Sequence, residues 1–201
     1  ITYKLPADGE YVFEIRDARY VGTPKYAYCI EVSDTPFVNF TYPLAVQKGK
    51  SGDVELHGFA LKGNTKATFS GADAQETGWA QRTFTTPAGK TNAVWTLVSE
   101  NPQVAAPNTN TSLETAFPLT LPMGVSGRLT EEGQTHFYSF KAKKGQYYSF
   151  DLMANRIDLP LDCVMEVVDS KSKPQRIYVN GGANSEADDG LSTKDANFYF
   201  Q

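Results

Sequence analysis

Basic residues, histidine, tryptophan and cysteine are all scarce in this 201-residue chain. Each scarcity removes a class of function. Lys and Arg total 19 against 23 Asp and Glu, a formal net charge of −4. That balance offers no basic face for nucleic acid and no polybasic patch for an anionic membrane. No apolar run reaches the length a membrane-spanning helix needs. Apolar spacing at i, i+3, i+4, i+7 is never sustained, because Gly or Pro interrupts it. The histidines are His57 and His136, far apart in sequence, and neither a G-x-S-x-G nor an H-E-x-x-H stretch occurs. Nothing pairs a nucleophile with a base, so the expectation is a protein that is not an enzyme. Ala88-Gly89-Lys90-Thr91 mimics the end of a phosphate loop, but Phe84 stands where the first Gly belongs. It reads as a hairpin turn.

What the chain does have is alternation. It carries 12 Phe and 11 Tyr, placed with β-branched residues at period two and bounded by Gly, Pro and Asp. That is the signature of short strands with one buried face. The fold class expected is all-β, built of antiparallel β-sandwich modules. Strands are expected over 1–5, 10–16 and 26–32, with an edge strand at Phe37-Val38-Asn39-Phe40 before Pro43. Residues 44–100 read as a small immunoglobulin-like unit, with strands over 53–59, 66–69, 81–85 and 92–98. A unit of that size buries little area and leans on a neighbour. Residues 101–112 are rich in Pro, Asn and Thr and read as a linker. Residues 113–201 open a second sandwich, with Leu119, Leu121 and Val125 as expected core contacts. Its strands run through His136–Phe140 and Gln146–Leu152, split by the turn Lys143-Lys144-Gly145, then through 161–168 and Asn197–Phe200.

The residues Gly127-Arg128-Leu129, His136 to Gln146, Leu159-Pro160-Leu161-Asp162 with Glu166-Val167-Val168-Asp169, Asp188-Asp189 and Lys194 to Phe198 carry a resemblance. In this order they resemble the bacterial pre-peptidase C-terminal domain. Residues 1–43 resemble the last strands of that same family, and Ile1–Lys4 looks equivalent to Phe198–Gln201. The resemblance implies a secreted β-sandwich appended to exported proteins and not itself catalytic, at the cell surface or outside the cell. A chain that starts at Ile1 rather than Met reads as a processed or excised piece. The head and tail of such a sandwich then need each other. Two closures stand: within one chain, or by strand complementation with neighbouring repeats or copies of itself.

Candidate sites follow, each beside its plainer reading. Asp188, Asp189 and Asp195, with Asn184 and Asp162 as outer candidates, could supply oxygens to Ca²⁺ from a Gly-rich loop; the plainer reading is a solvated loop with Asx turns. Asp162 sits inside an apolar strand and needs a partner: backbone N–H groups, Arg156 or Arg16, or a metal ion. Cys29 and Cys163 both lie in apolar runs. A disulfide between them is compatible with export and with closure of tail on head; two buried free thiols are the default. Trp79, in a Gly78-Trp79 loop, is the best exposed candidate for a ligand platform, whereas Trp95 reads as core. Asn39-Phe40-Thr41 and Asn110-Thr111-Ser112 match glycosylation sequons. Two functions are carried forward. One is a structural or adhesive repeat of an exported protein. The other is a carbohydrate- or matrix-binding module appended to a secreted hydrolase or protease.

Overall fold

The computed structural model describes residues 3–63, 65–70, 76–154, 157, 159–161 and 163–169 with their side chains. Residues 177–179, 182–184, 186–187 and 197–200 are described as backbone. The described chain is all-β, without a helix.

The core is built by residues 36–100. Strands β1 (Phe37–Tyr42), β2 (Ala45–Gln47), β3 (Gly52–Phe59), β4 (Lys66–Phe69), β5 (Gly78–Arg82) and β8 (Val94–Ser99) make two three-stranded sheets, ordered β1-β3-β4 and β2-β8-β5. Alternation sets the inner faces: Val54 and Leu56 on β3, and Val94, Thr96 and Val98 on β8, are buried. With Val38, Val46, Leu61, Phe69 and Phe84 the apolar members form one cluster between the sheets. Each such side chain contributes about 1.5–3 kcal/mol on burial. The expected strands over 37–40, 53–59, 66–69 and 92–98 are therefore present, within a residue or two at the ends. The strand expected over 81–85 lies at 78–82 instead, because Phe84 leaves the sheet to enter the core.

Two local devices hold β1 in place. A bulge at Asn39 lets Val38 face Gly58 while Phe40 faces His57. Gly58 is required there, because a Cβ would collide with the Phe37 carbonyl oxygen. At the other edge of β1, the Asn92 amide takes both backbone groups of Val38. Its Oδ1 accepts from Val38 N at 2.6 Å and its Nδ2 donates to Val38 O at 3.0 Å. The side chain thus stands in for a strand and closes the edge.

The hairpin of β6 (Thr85–Thr86) and β7 (Gly89–Lys90) occupies the phosphate-loop mimic. Gly89 has φ +122°, and Thr91 is buried, its Oγ1 accepting from Phe84 N at 2.9 Å. It is a hairpin turn, as its residues indicate.

Beyond residue 100 the sheets are small. Strands β9 (Gln103–Ala105) and β11 (Gly124–Ser126) pair in parallel, as do β10 (Phe117–Leu119) and β12 (Tyr138–Phe140). The parallel ladder of β2 on β8 is a third case. These registers are invisible to alternation, which reports faces and not direction. Strand β13 (Tyr148–Asp151) pairs antiparallel with β18 (Asn197–Phe200), in a sheet ordered β13-β18-β15-β16 with β15 (Ile177–Val179) and β16 (Gly182–Asn184). Strands β14 (Met165–Glu166) and β17 (Glu186–Ala187) form a further pair. The turn at Lys143–Gln146 forms as expected, with Gly145 at φ +81° and Gln146 N bonded to Lys143 O at 3.1 Å.

Three expectations fail. Residues 3–35 form no strand and are exposed throughout, so the tail does not close a sandwich within its own chain. Alternation makes a segment fit to pair but supplies no partner, and an isolated ribbon is unstable. Residues 101–112 are no free linker, since β9 pairs with β11 and Asn110 is fully buried. Leu119, Leu121 and Val125 are half-buried rather than core, and Ser126 takes the interior place at 4% exposure.

Candidate functional site: a junction cluster and a tryptophan face

Strands β1 and β3 present Phe40, Tyr42, Glu55 and His57 on neighbouring positions, because Tyr42 pairs with Glu55 and Phe40 with His57. The ring of Phe40 stacks on His57 at 4.7 Å and 8°. Arg128, just past β11, reaches this group from the other part of the chain. Its guanidinium lies 4.1 Å over the Tyr42 ring. Its Nη1 is 3.1 Å from His57 Nε2 and 3.9 Å from Glu55 Oε2. Guanidinium only donates, so the contact with Arg128 calls on a lone pair of His57 Nε2. His57 Nε2 also lies 3.4 Å from Glu55 Oε2.

Below this layer the Tyr42 hydroxyl is held by two carbonyls, Ala106 O at 3.2 Å and Ser126 O at 3.1 Å. Ser126 Oγ accepts from Leu44 N at 3.0 Å. Burial pushes the Tyr42 hydroxyl above the usual tyrosine range; Arg128 opposes that rise and Glu55 adds to it. Tyr138 is raised too, first by burial, with Asn110 opposing and Tyr42 adding. Gly127 makes room for it: a Cβ there would lie 2.7 Å from the Tyr138 hydroxyl. His136 meets Tyr138 edge-on at 6.5 Å, and burial holds its pKa below the ordinary imidazole range. Asn110 donates from Nδ2 to Phe137 O at 3.0 Å and receives Phe137 N on its own carbonyl at 2.7 Å. The two histidines, 79 positions apart, thus stand on either side of one junction around Tyr42, Arg128 and Tyr138.

The second feature is a sheet face. On β8 the inner positions are taken by Val94, Thr96 and Val98, so Trp95 and Leu97 point outward. Trp79 pairs with Leu97 and Gln81 with Trp95 across β5 and β8. Trp79 and Trp95 therefore share the outer face on a diagonal, about 7–8 Å apart along the backbone. Both are half-buried. Trp79 lies in a strand and not in a loop, and Trp95 is not core. The reason is the same for both: the β-branched residues of β8 claim the interior.

The remaining candidates fare as follows. Asp162, Asp188, Asp189 and Asp195 lie outside the described residues, and Asn184 is described as backbone in β16. Among the described residues no three His, Cys, Asp or Glu side chains come together around a metal-sized space. Cys29 is exposed and Cys163 half-buried, and both are free thiols. The arm carrying Cys29 packs on no sheet, so neither a bond between them nor a shared core forms in this chain. Arg16 bridges Glu14 at 3.4 Å and stacks on Tyr20 at 4.4 Å. Asn110 has no exposed surface and cannot accept a glycan, whereas Asn39 is exposed at the bulge.

The site and fold define an all-β module with no long apolar helix among its described residues. Comparison of the chain with protein-family models, curated proteins and solved structures found no match.

Proposed function

We propose that this chain is a non-catalytic structural or adhesive β module of an exported bacterial protein. It serves as a spacer or surface scaffold in the company of neighbouring repeats or copies of itself. The observation that carries this reading is the junction. Its most reactive side chains, His57, Glu55, Arg128 and Tyr42, are spent on one another and on backbone carbonyls of the next β unit. A charged, aromatic cluster used this way fixes the angle between two β units, which is what a spacer requires. Arg is the residue suited to the task, since its planar group stacks and donates at once.

A second reading has one observation in its favour. Trp79 and Trp95 on one outer face, with Gln81 between them, resemble a stacking surface for sugar rings. This is the carbohydrate- or matrix-binding alternative. Calcium held by Asp188, Asp189, Asp195 and Asn184 belongs to either reading as a stabilising ion.

A panel of insoluble polysaccharides and a glycan array separate the two. A scaffold gives no saturable retention. A binding module gives retention that Trp79→Ala and Trp95→Ala each reduce by tenfold or more, equivalent to about 1.4 kcal/mol.

A further inference from the structure

We propose that the N-terminal arm is a self-association strand: residues 10–16 of two copies of this chain pair antiparallel about a two-fold axis at Phe13. The proposal rests on the module reading above and names its partner.

The arm is built to pair and is unpaired. Tyr11, Phe13 and Ile15 are 46%, 60% and 45% exposed, and Val12 is 91% exposed. The backbone bonds within the arm are local turns, such as Tyr20 N to Asp17 O at 3.0 Å and Tyr26 N to Thr23 O at 2.9 Å. Period-two alternation over this stretch puts Tyr11, Phe13 and Ile15 on one side and Glu10, Val12, Glu14 and Arg16 on the other.

The sequence is complementary to itself in one register. With Phe13 on the axis, Tyr11 opposes Ile15, Phe13 opposes Phe13, Glu10 opposes Arg16 twice and Val12 opposes Glu14 twice. A shift by half a step sets Tyr11 against Glu14 and mixes the faces. Centring on Val12 sets Glu10 against Glu14, a like-charge pair; centring on Glu14 sets Glu14 against itself, another. The Phe13 axis alone joins an unbroken apolar face to opposite charges. Aromatic against β-branched pairing is the favourable cross-strand combination. A stable interface covers about 800 Å² on each partner. Residues 10–16 supply part of that area, and the exposed Tyr3, Tyr20, Tyr26 and Tyr28 elsewhere on the arm offer apolar surface that extends the contact. An isologous contact of this kind closes as a dimer rather than a fibre.

Light scattering on the full chain, across a concentration series, is expected to show a dimer that Phe13→Pro converts to monomer. The body of the molecule is a control, because residues 3–35 are exposed and join none of its sheets; its thermal midpoint should be unchanged in that variant. Charge reversal tests the register. Glu10→Arg and Arg16→Glu should each weaken association at least tenfold, and the double variant should restore it. Crosslinking tests the axis. Residues opposite each other across an antiparallel ladder have Cα atoms about 4.5–5.5 Å apart, within disulfide reach. In a chain with Cys29→Ser and Cys163→Ser, Phe13→Cys should form a disulfide dimer under copper-phenanthroline. Glu10→Cys should not do so alone but should when mixed with Arg16→Cys. A monomeric wild-type chain, a dimer that survives Phe13→Pro, or failure of the charge reversal to restore association overturns the proposal. Each of those results leaves the scaffold reading to the polysaccharide panel.

Discussion

Replacing Arg128 by alanine is the sharpest perturbation the junction offers. The guanidinium is lost from above Tyr42, from beside His57 Nε2 and from the vicinity of Glu55. The side chain is about one-third exposed, 35%, so solvent screens part of each term. The cation–π contact is worth about 0.5–1 kcal/mol at such a site. The bond to His57 adds about 1 kcal/mol. The half-exposed Glu55 pair adds between about 0 and 1 kcal/mol after screening. The expected loss is therefore about 2 kcal/mol, or about 4–8 °C in thermal midpoint for a chain of this size. Urea unfolding followed by tryptophan fluorescence reads it, since Trp79 and Trp95 both lie on the β5–β8 face. Arg128→Lys should recover less than half, because an ammonium neither stacks flat nor forks. A double-mutant cycle of Arg128→Ala with His57→Ala should show coupling of about 1 kcal/mol. A loss below about 0.5 kcal/mol for Arg128→Ala, the range of an ordinary surface substitution, refutes the clamp.

Other expectations follow from burial and titration. Leu56→Ala removes a side chain at 1% exposure from between the sheets and should cost about 2–5 kcal/mol in chemical denaturation. His136 has its pKa lowered by burial, so its contribution is present above about pH 6.5 and lost as the pH falls through the lowered folded value. His136→Gln should flatten stability against pH on that acid limb, and an unchanged slope counts against a buried imidazole. Calcium bound by Asp188, Asp189, Asp195 and Asn184 should raise the melting midpoint in millimolar Ca²⁺ over that in EDTA. Equal midpoints remove the ion from the account.

The parts of this fold that could be read in advance are those decided by local alternation. Val54 and Leu56, or Val94, Thr96 and Val98, declare a buried face two residues at a time, and the sheets around them follow. Alternation also marks 10–16 and 26–32 as strand-like, but a strand needs a partner, and alternation alone places none for it within the chain. The parallel ladders escaped for a related reason: direction is set by connections and not by faces. The junction escaped because its members are scattered, with His57 and Arg128 separated by 71 positions. Its one local trace is Gly127 next to Arg128, a glycine that spares the Tyr138 hydroxyl a collision. Asn110 misled in the other direction. A polar residue in a Pro/Asn/Thr-rich stretch looks like a linker until its amide and carbonyl are both seen gripping residue 137. The tryptophans were misplaced because Trp95 alternates with a buried set without belonging to it.

Arg128 with Tyr42, His57 and Glu55 ties the core sheets to β9 and β11 as one mechanical unit. Native-state hydrogen exchange tests this most directly. Ala106 N, bonded to Ser126 O at 2.8 Å, and Gly124 N, bonded to Pro102 O at 2.9 Å, should open with the same free energy as Leu97 N in the core sheet, bonded to Leu44 O at 3.1 Å. In Arg128→Ala all three should exchange faster, the first two by more than Leu97. Independent opening of the two regions in the unaltered protein contradicts the claim.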